Sequence, residues 1–352
     1  MKTWRYALIA ILAVVFLGIC SLLYFLLADS EFRFYWNRNQ DSATSNLTLQ
    51  NTATYDVSSV RQLKIQYSNM PIDITFVVTD EDTLRIEEFC NKDLEENSTY
   101  SVEASGDRLT IERKPKNHSL LRFLPNRLRG TMTVYVPEYL TQTLDTLAVS
   151  TVSDIICPDW NDTPQKVILS TTSGTITAPT LLCEQILISK TSGDLILGNA
   201  SGDIMISTTS GDMRLGNIDG DVNLSSTSGE VSIQTLTGIL SVAMTSGSLE
   251  VEKMSGDVTV EATSGYIDLG VTDERSHVSV GITSGDVDIR YPLNAAVSFT
   301  IDTTSGSIDL PKESTYTQQE RRSQKGSFGS NPTSTLTVSS TSGDVDVTIG
   351  DE

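Results

Sequence analysis

Residues 191–226 read TSGDLILGN-ASGDIMIST-TSGDMRLGN-IDGDVNLSS, four nine-residue units with glycine at the third place of each. The spacing holds from Gly193 through Gly202, Gly211, Gly220, Gly229, Gly238, Gly247 and Gly256 to Gly265. A fixed internal period of this kind is read before any individual element, because it decides the architecture. Alternate units differ. Thr191, Thr209, Thr227, Thr245 and Thr263 open one set, whereas Ala200, Ile218, Leu236 and Met254 stand at the same place in the other. The true period is therefore 18, with two unlike halves.

After each glycine the second and fourth residues are apolar, as in Leu195/Leu197, Ile204/Ile206, Met213/Leu215 and Val231/Ile233. Alternation over four or five residues marks a strand with one buried face. Two short strands cannot bury their apolar rows alone, so successive 18-residue coils must stack. The expected fold is all-β: a single-stranded parallel β-solenoid, or β-helix, with coils of about 18 residues whose equivalent side chains form ladders about 4.8 Å apart. The glycines supply positive φ at the corners.

The composition supports this reading and excludes several functions. The chain has 352 residues, 7 % aromatic, with a formal net charge of −20. Within 165–352, 24 acidic residues face 10 basic ones. Such a chain repels phosphates, so nucleic acid is not an expected partner. Many of the carboxylates follow a corner glycine. Asp194, Asp212 and Glu230 stack on one edge, with Asp203 and Asp221 on the other. Like charges one strand spacing apart repel, which a divalent cation would relieve, making Asp194, Asp212 and Glu230 a candidate cation ladder. The competing reading is turn chemistry, with Asp accepting backbone N–H bonds. The single glycine per unit does not fit the Gly-Gly-x-Gly-x-Asp calcium repeat.

Outward from the repeat, residues 56–164 alternate without the glycine spacing, as in Leu63–Ile65–Tyr67 and Met132–Val134–Val136. They read as a β region that caps and continues the solenoid of 165–350, or as a separate β domain. Two segments break the pattern. Between Arg113 and Arg129 lie Arg113, Lys114, Lys116, Arg122, Arg127 and Arg129, interleaved with Leu120, Leu121, Phe123, Leu124 and Leu128. This basic, partly apolar stretch is a candidate contact for anionic headgroups or a polyanionic wall polymer. A long hairpin over the solenoid end is the alternative. The second segment, residues 311–332, reads as a disordered polar insertion between coils.

At the other end, Tyr6–Ala28 is a run of 23 residues without a charge, long enough to span a bilayer that needs about 20. A signal peptide has a shorter apolar region and small residues before its cleavage site, so an uncleaved anchor is favoured over it. Lys2 and Arg5 place residues 1–5 in the cytoplasm and the rest outside the cell. Residues 29–55, rich in Ser, Thr, Asn and Gln, read as a juxtamembrane stalk. Beyond the span stand Cys90, Cys157 and Cys183, an odd number. One Cys157–Cys183 bridge and three buried thiols both remain open.

The Thr-Ser-Gly-Asp units, seen again at Thr283–Ile289 and Thr341–Val347 and as Thr-Ser-Gly-Ser within Ile301–Pro311, resemble the bacterial putative-adhesin family of domains of unknown function, including LiaG-like envelope proteins. The resemblance covers roughly 57–350. It implies a β-solenoid outside the cell membrane and brings no catalytic residues with it. No catalytic, cofactor-binding or metal residues are assigned from the residues themselves either. Carboxylate pairs such as Asp286/Asp288 and Asp344/Asp346 share a strand face and recur with the repeat, as outer solvated positions do. The expected function is a non-enzymatic, membrane-anchored scaffold or adhesin, with an unidentified protein or cell-wall polymer as partner. A regulatory accessory working with a membrane partner is the alternative, and a polysaccharide-active β-helix enzyme a weaker rival.

Overall fold

The computed structural model describes residues 47–67, 71–91, 100–113, 129–160 and 164–350. These belong to the second of two units, Asn46–Glu352. The expected anchor at 6–28, residues 1–5 expected in the cytoplasm and most of the expected stalk lie outside the described residues. Among the described residues, no helix is long and apolar enough to cross a membrane.

The alternation read from the sequence becomes two parallel ladders. In one, Leu195 pairs with Met213, Met213 with Val231, Val231 with Leu249 and Leu249 with Ile267. In the other, Ile204 pairs with Val222, Val222 with Leu240, Leu240 with Val258 and Val258 with Val278. Each rung within 195–267 joins residues 18 apart, so the sequence period is the coil. Every residue in these rows is buried and belongs to one continuous hydrophobic core. A third inward row, Leu181, Ala200, Ile218, Leu236 and Met254, closes the remaining edge. The alternating units are thus unlike because one corner faces outward and the other closes the core.

Residues 56–164 continue the same ladders. Gln62–Tyr67 pairs in parallel with Thr146–Thr151, which pairs with Lys166–Thr171. Ile72–Thr79 likewise leads through Ile155–Ile156 to Ile176–Lys190. The helix Glu138–Thr143 is a six-residue connection.

Coil order in space departs from coil order in sequence at both ends. The coil 62–79 sits between Arg108–Glu112 with Gly130–Pro137 on one side and Thr146–Thr151 with Ile155–Ile156 on the other. The coil 334–349 sits between the coils 277–291 and 297–309. Antiparallel strands then close the ladders. Thr83–Cys90 pairs antiparallel with Gly130–Pro137 and carries Thr48–Asp56 on its far side. Ser101–Ser105 covers Arg108–Glu112. Ser323–Phe328 pairs antiparallel with Val297–Ser305 and carries Thr315–Glu320.

Two expectations are corrected here. The residues of 311–332 are not a disordered insertion: they hold the hairpin that caps one ladder, with Phe328 buried against Tyr291 and Phe299. The stalk expected over 29–55 does not reach residue 55 either, because Thr48–Asp56 is a strand. Both segments are polar, and both serve as end strands with one face in water, which polar residues suit. The solenoid is accordingly parallel through its middle and antiparallel at its ends.

Candidate functional site

The repeating corner is the feature from which any surface of this protein is built. Glycine is required there on two counts. Gly247 has φ +125°, and a Cβ on it would lie 2.0 Å from the carbonyl oxygen of Gly229 in the coil below. The corner serine ties the coils together: the hydroxyls of Ser210, Ser228, Ser246 and Ser264 donate to the carbonyls of Thr191, Thr209, Thr227 and Thr245, at 3.1–3.3 Å. The Thr side chains beside them face outward and are exposed.

The acid after the glycine has a third task. Asp194 accepts the backbone N–H of Asp212, and Asp212 that of Glu230, both at 3.1 Å. On the other corner, Asp221 accepts from Ile239 and Asp257 from His277, both at 2.9 Å. The candidate cation ladder of Asp194, Asp212 and Glu230 is therefore brought together as a column, but its aspartates are engaged with the backbone of the next coil. Among the described residues there is no cluster of three or more metal-ligating side chains. The column also has a cation of its own. Lys190 is 4 % exposed, lies in the inward row with Thr171 and Thr208, and donates from Nζ to the carbonyl of Gly193. Burial pushes its amine down to about 8, while the charges of Asp194 and Asp212 pull it back up.

That inward row is otherwise neutral. Thr208, Ser226 and Thr303 donate their hydroxyls to the carbonyls of Ser210, Ser228 and Ser305, at 3.1–3.2 Å. At these three places the buried hydroxyl finds a carbonyl two residues on, Lys190 reaches one residue further, and Thr171 donates instead to the carbonyl of Ser153 at 2.6 Å.

The basic candidates divide. Arg113 does not face an anionic surface: its side chain is largely buried and its Nη1 donates to Glu88 Oε1 at 2.9 Å, with Glu88 wholly buried. Burial raises the Glu88 carboxyl above its usual range and the Arg113 charge opposes that rise. Nothing in the sequence distinguished Arg113 from its basic neighbours, because its partner lies on a strand 25 residues away. Arg129 is exposed, and its backbone N–H donates to Asn91 Oδ1 at 3.0 Å. Lys114, Lys116, Arg122 and Arg127 lie outside the described residues.

The thiols are settled among the described residues: Cys157 and Cys183 are buried as separate thiols, not a disulfide. Burial pushes Cys157 up to about 12 and Cys90 up to about 11, far from a reactive thiolate.

One surface feature escaped the sequence. Glu250, Asp268, Asp288, Asp346 and Asp309 form successive rungs of a single outward column. Arg290 Nη1 donates to Asp268 at 2.5 Å, and the Tyr266 hydroxyl donates to Asp288. Glu250 and Asp268 lie one 18-residue period apart, and Asp288 follows at 20. Asp346 and Asp309 join it only because the coil 334–349 is inserted before the coil 297–309 in space. Asp286 and Asp344, the other members of the carboxylate pairs, are corner acids that accept the N–H groups of Asp344 and Ser307. On the other ladder's outer face, Leu187, Asp203, Met205, Asp221, Asn223 and Ile239 line a shallow depression of about 360 Å³.

Residues 60–348 match the model of the family described as Toastrack DUF4097. No curated protein matches the chain. Solved structures similar to it include a putative cell adhesion protein from Clostridium sporogenes, at 10 % identity, covering 86 % of this chain and 99 % of that one with a TM-score of 0.20. A putative lipid binding protein from Parabacteroides distasonis is 14 % identical, covering 88 % and 98 % with a TM-score of 0.36. A putative adhesin from Parabacteroides merdae is 13 % identical, with the same coverage and a TM-score of 0.35. These superpositions are weak, so membership rests on the family match, which agrees with the resemblance carried by the Thr-Ser-Gly-Asp units. The chain belongs to the Toastrack DUF4097 family.

Proposed function

We propose that this protein is a non-enzymatic surface protein of the cell envelope, tethered by the apolar run Tyr6–Ala28, that presents its outer columns to an envelope partner. The observation that carries the reading is how the corner side chains are spent. Ser210, Ser228, Asp194, Asp212 and Asp221 all hold one coil to the next. What is left for a partner is the set of outward columns, regular arrays of short polar and acidic groups at strand spacing. Regular arrays suit a repetitive partner, such as a wall polymer or a second fibrous protein, better than a small substrate held in a cleft.

The test is fractionation of cells making the full chain, followed by protease treatment of intact cells. Recovery in the membrane fraction, with residues beyond 47 lost to external protease, is the expected outcome. Recovery in the soluble cytoplasm, or protection from external protease, removes the premise. Co-sedimentation of the membrane-extracted chain with isolated wall material then tests the partner class.

A further inference from the structure

The coil 334–349 lies in a slot. His277–Ser284 and Val287–Tyr291 border it on one side, and Val297–Ser305 and Ile308–Asp309 on the other, each in parallel register with it. Among the described residues the two bordering coils make no ladder with each other. Withdrawing the coil would open four strand edges at once and uncover Leu336, Val338, Val345 and Val347, each at most 2 % exposed. A strand pair of this sequence thus has one fitting home, the slot of this chain or that of another copy.

The connection leading into the coil is the strained part of this region. Gly329 has φ +73° and Asn331 has φ +54°, with Pro332 next; Asn331 is the one non-glycine residue with positive φ among the described residues. A side chain in the left-handed region carries a backbone penalty that an extended linker relieves. The coil 62–79 occupies a similar slot, but its link to Thr83 through Asp80, Glu81 and Asp82 holds no such residue.

From the slot, the matching coil and the strained connection, we infer that two copies of this chain exchange their 334–349 coils, each filling the slot of the other. Exchange keeps every ladder hydrogen bond and every buried side chain, changing only the connection 329–333, so protein concentration and hinge strain decide its extent. This inference stands apart from the proposed function: it holds or fails wherever the protein resides.

The experiment uses two full-length variants, Ser279→Cys and Thr337→Cys. These residues are rung partners on adjacent strands, both exposed, so neither change disturbs the core. The two are unfolded, mixed, refolded together over a range of concentrations and oxidised. The expected result is a disulfide-linked dimer in the mixture, rising with refolding concentration and at least roughly tenfold above either variant alone. Adding Asn331→Gly, which relieves the strained position, should reduce the dimer. A control pair, Ser225→Cys with Thr337→Cys, places the cysteines on non-adjacent coils. Equal dimer from that control, or no dimer from the mixture while a single chain carrying both Ser279→Cys and Thr337→Cys closes its bond internally, overturns the inference.

Discussion

The Asp344 carboxylate accepts a 2.7 Å hydrogen bond from the backbone N–H of Ser307, 37 residues earlier in the chain. The same bond elsewhere in the stack joins residues 18 apart, as between Asp194 and Asp212. The corner rule therefore follows the neighbour in space, whichever direction the chain took to reach it.

Asp344→Asn tests this bond through its pH dependence. The Ser307 N–H holds the Asp344 carboxyl below its ordinary value. A carboxyl lowered in the folded state adds stability above its unfolded pKa and loses it as pH falls through the folded one. Denaturant unfolding should show the variant less stable than the parent at pH 7, with the gap closing in acid. A gap that persists unchanged at low pH would mean the carboxylate charge is not what the corner uses.

Lys190→Thr restores the residue type found one coil below and one above. The folded Lys190 amine is pushed down to about 8 from 10.5, so the unfolded chain holds the extra proton between those values. Stability of the parent should therefore rise with pH across that window, by about 2–3 kcal/mol in all. The variant should be as stable as the parent or more so at pH 7, and should lack the rise. Urea midpoints at pH 7 and pH 10 give the comparison.

Gly247→Ala and Gly106→Ala separate the two demands on glycine. At Gly247 both the φ and the 2.0 Å approach of the Gly229 carbonyl oppose a methyl group, whereas nothing lies within 4 Å of Gly106 at φ +62°. Losses of at least about 3 kcal/mol and of about 1 kcal/mol are expected respectively. Thermal unfolding of the two variants side by side is the check.

Arg113→Met leaves the wholly buried Glu88 without its charged partner, and should lower stability by about 3–5 kcal/mol. The double variant Arg113→Met/Glu88→Leu should recover much of that loss, since neither charge is then stranded. Arg129→Glu, on the surface, should change stability little. If Arg113→Met were as mild as Arg129→Glu, the buried pair would be refuted.

Much of the fold was legible because the repeat is local. Gly193 to Gly265, the Leu195/Leu197 alternation and the Thr-Ser-Gly units each express a constraint met within one coil and its neighbour, 18 residues away. The corner acids were legible as turn chemistry for the same reason, although their acceptor role toward the next coil was not. The ends were not legible. Residues 315–328 and 48–56 are polar and carry no glycine spacing, and their strands form only because an edge awaits them.

By itself the sequence determined that stacked coils of 18 residues would form, which side chains would face inward, and where glycine must stand. A residue's neighbours one coil away are set by the period alone. Only the tertiary structure decided which coil follows which at the ends, that 315–328 closes a ladder, and that Arg113 turns inward to Glu88. Those outcomes depend on pairings outside the 18-residue period, as between Gly285 and Gly343 or Arg113 and Glu88, and no local pattern encodes them. Edge strands and buried charges find their partners through packing of the whole chain, because an uncovered edge or an unpaired charge is stable only once something else covers it.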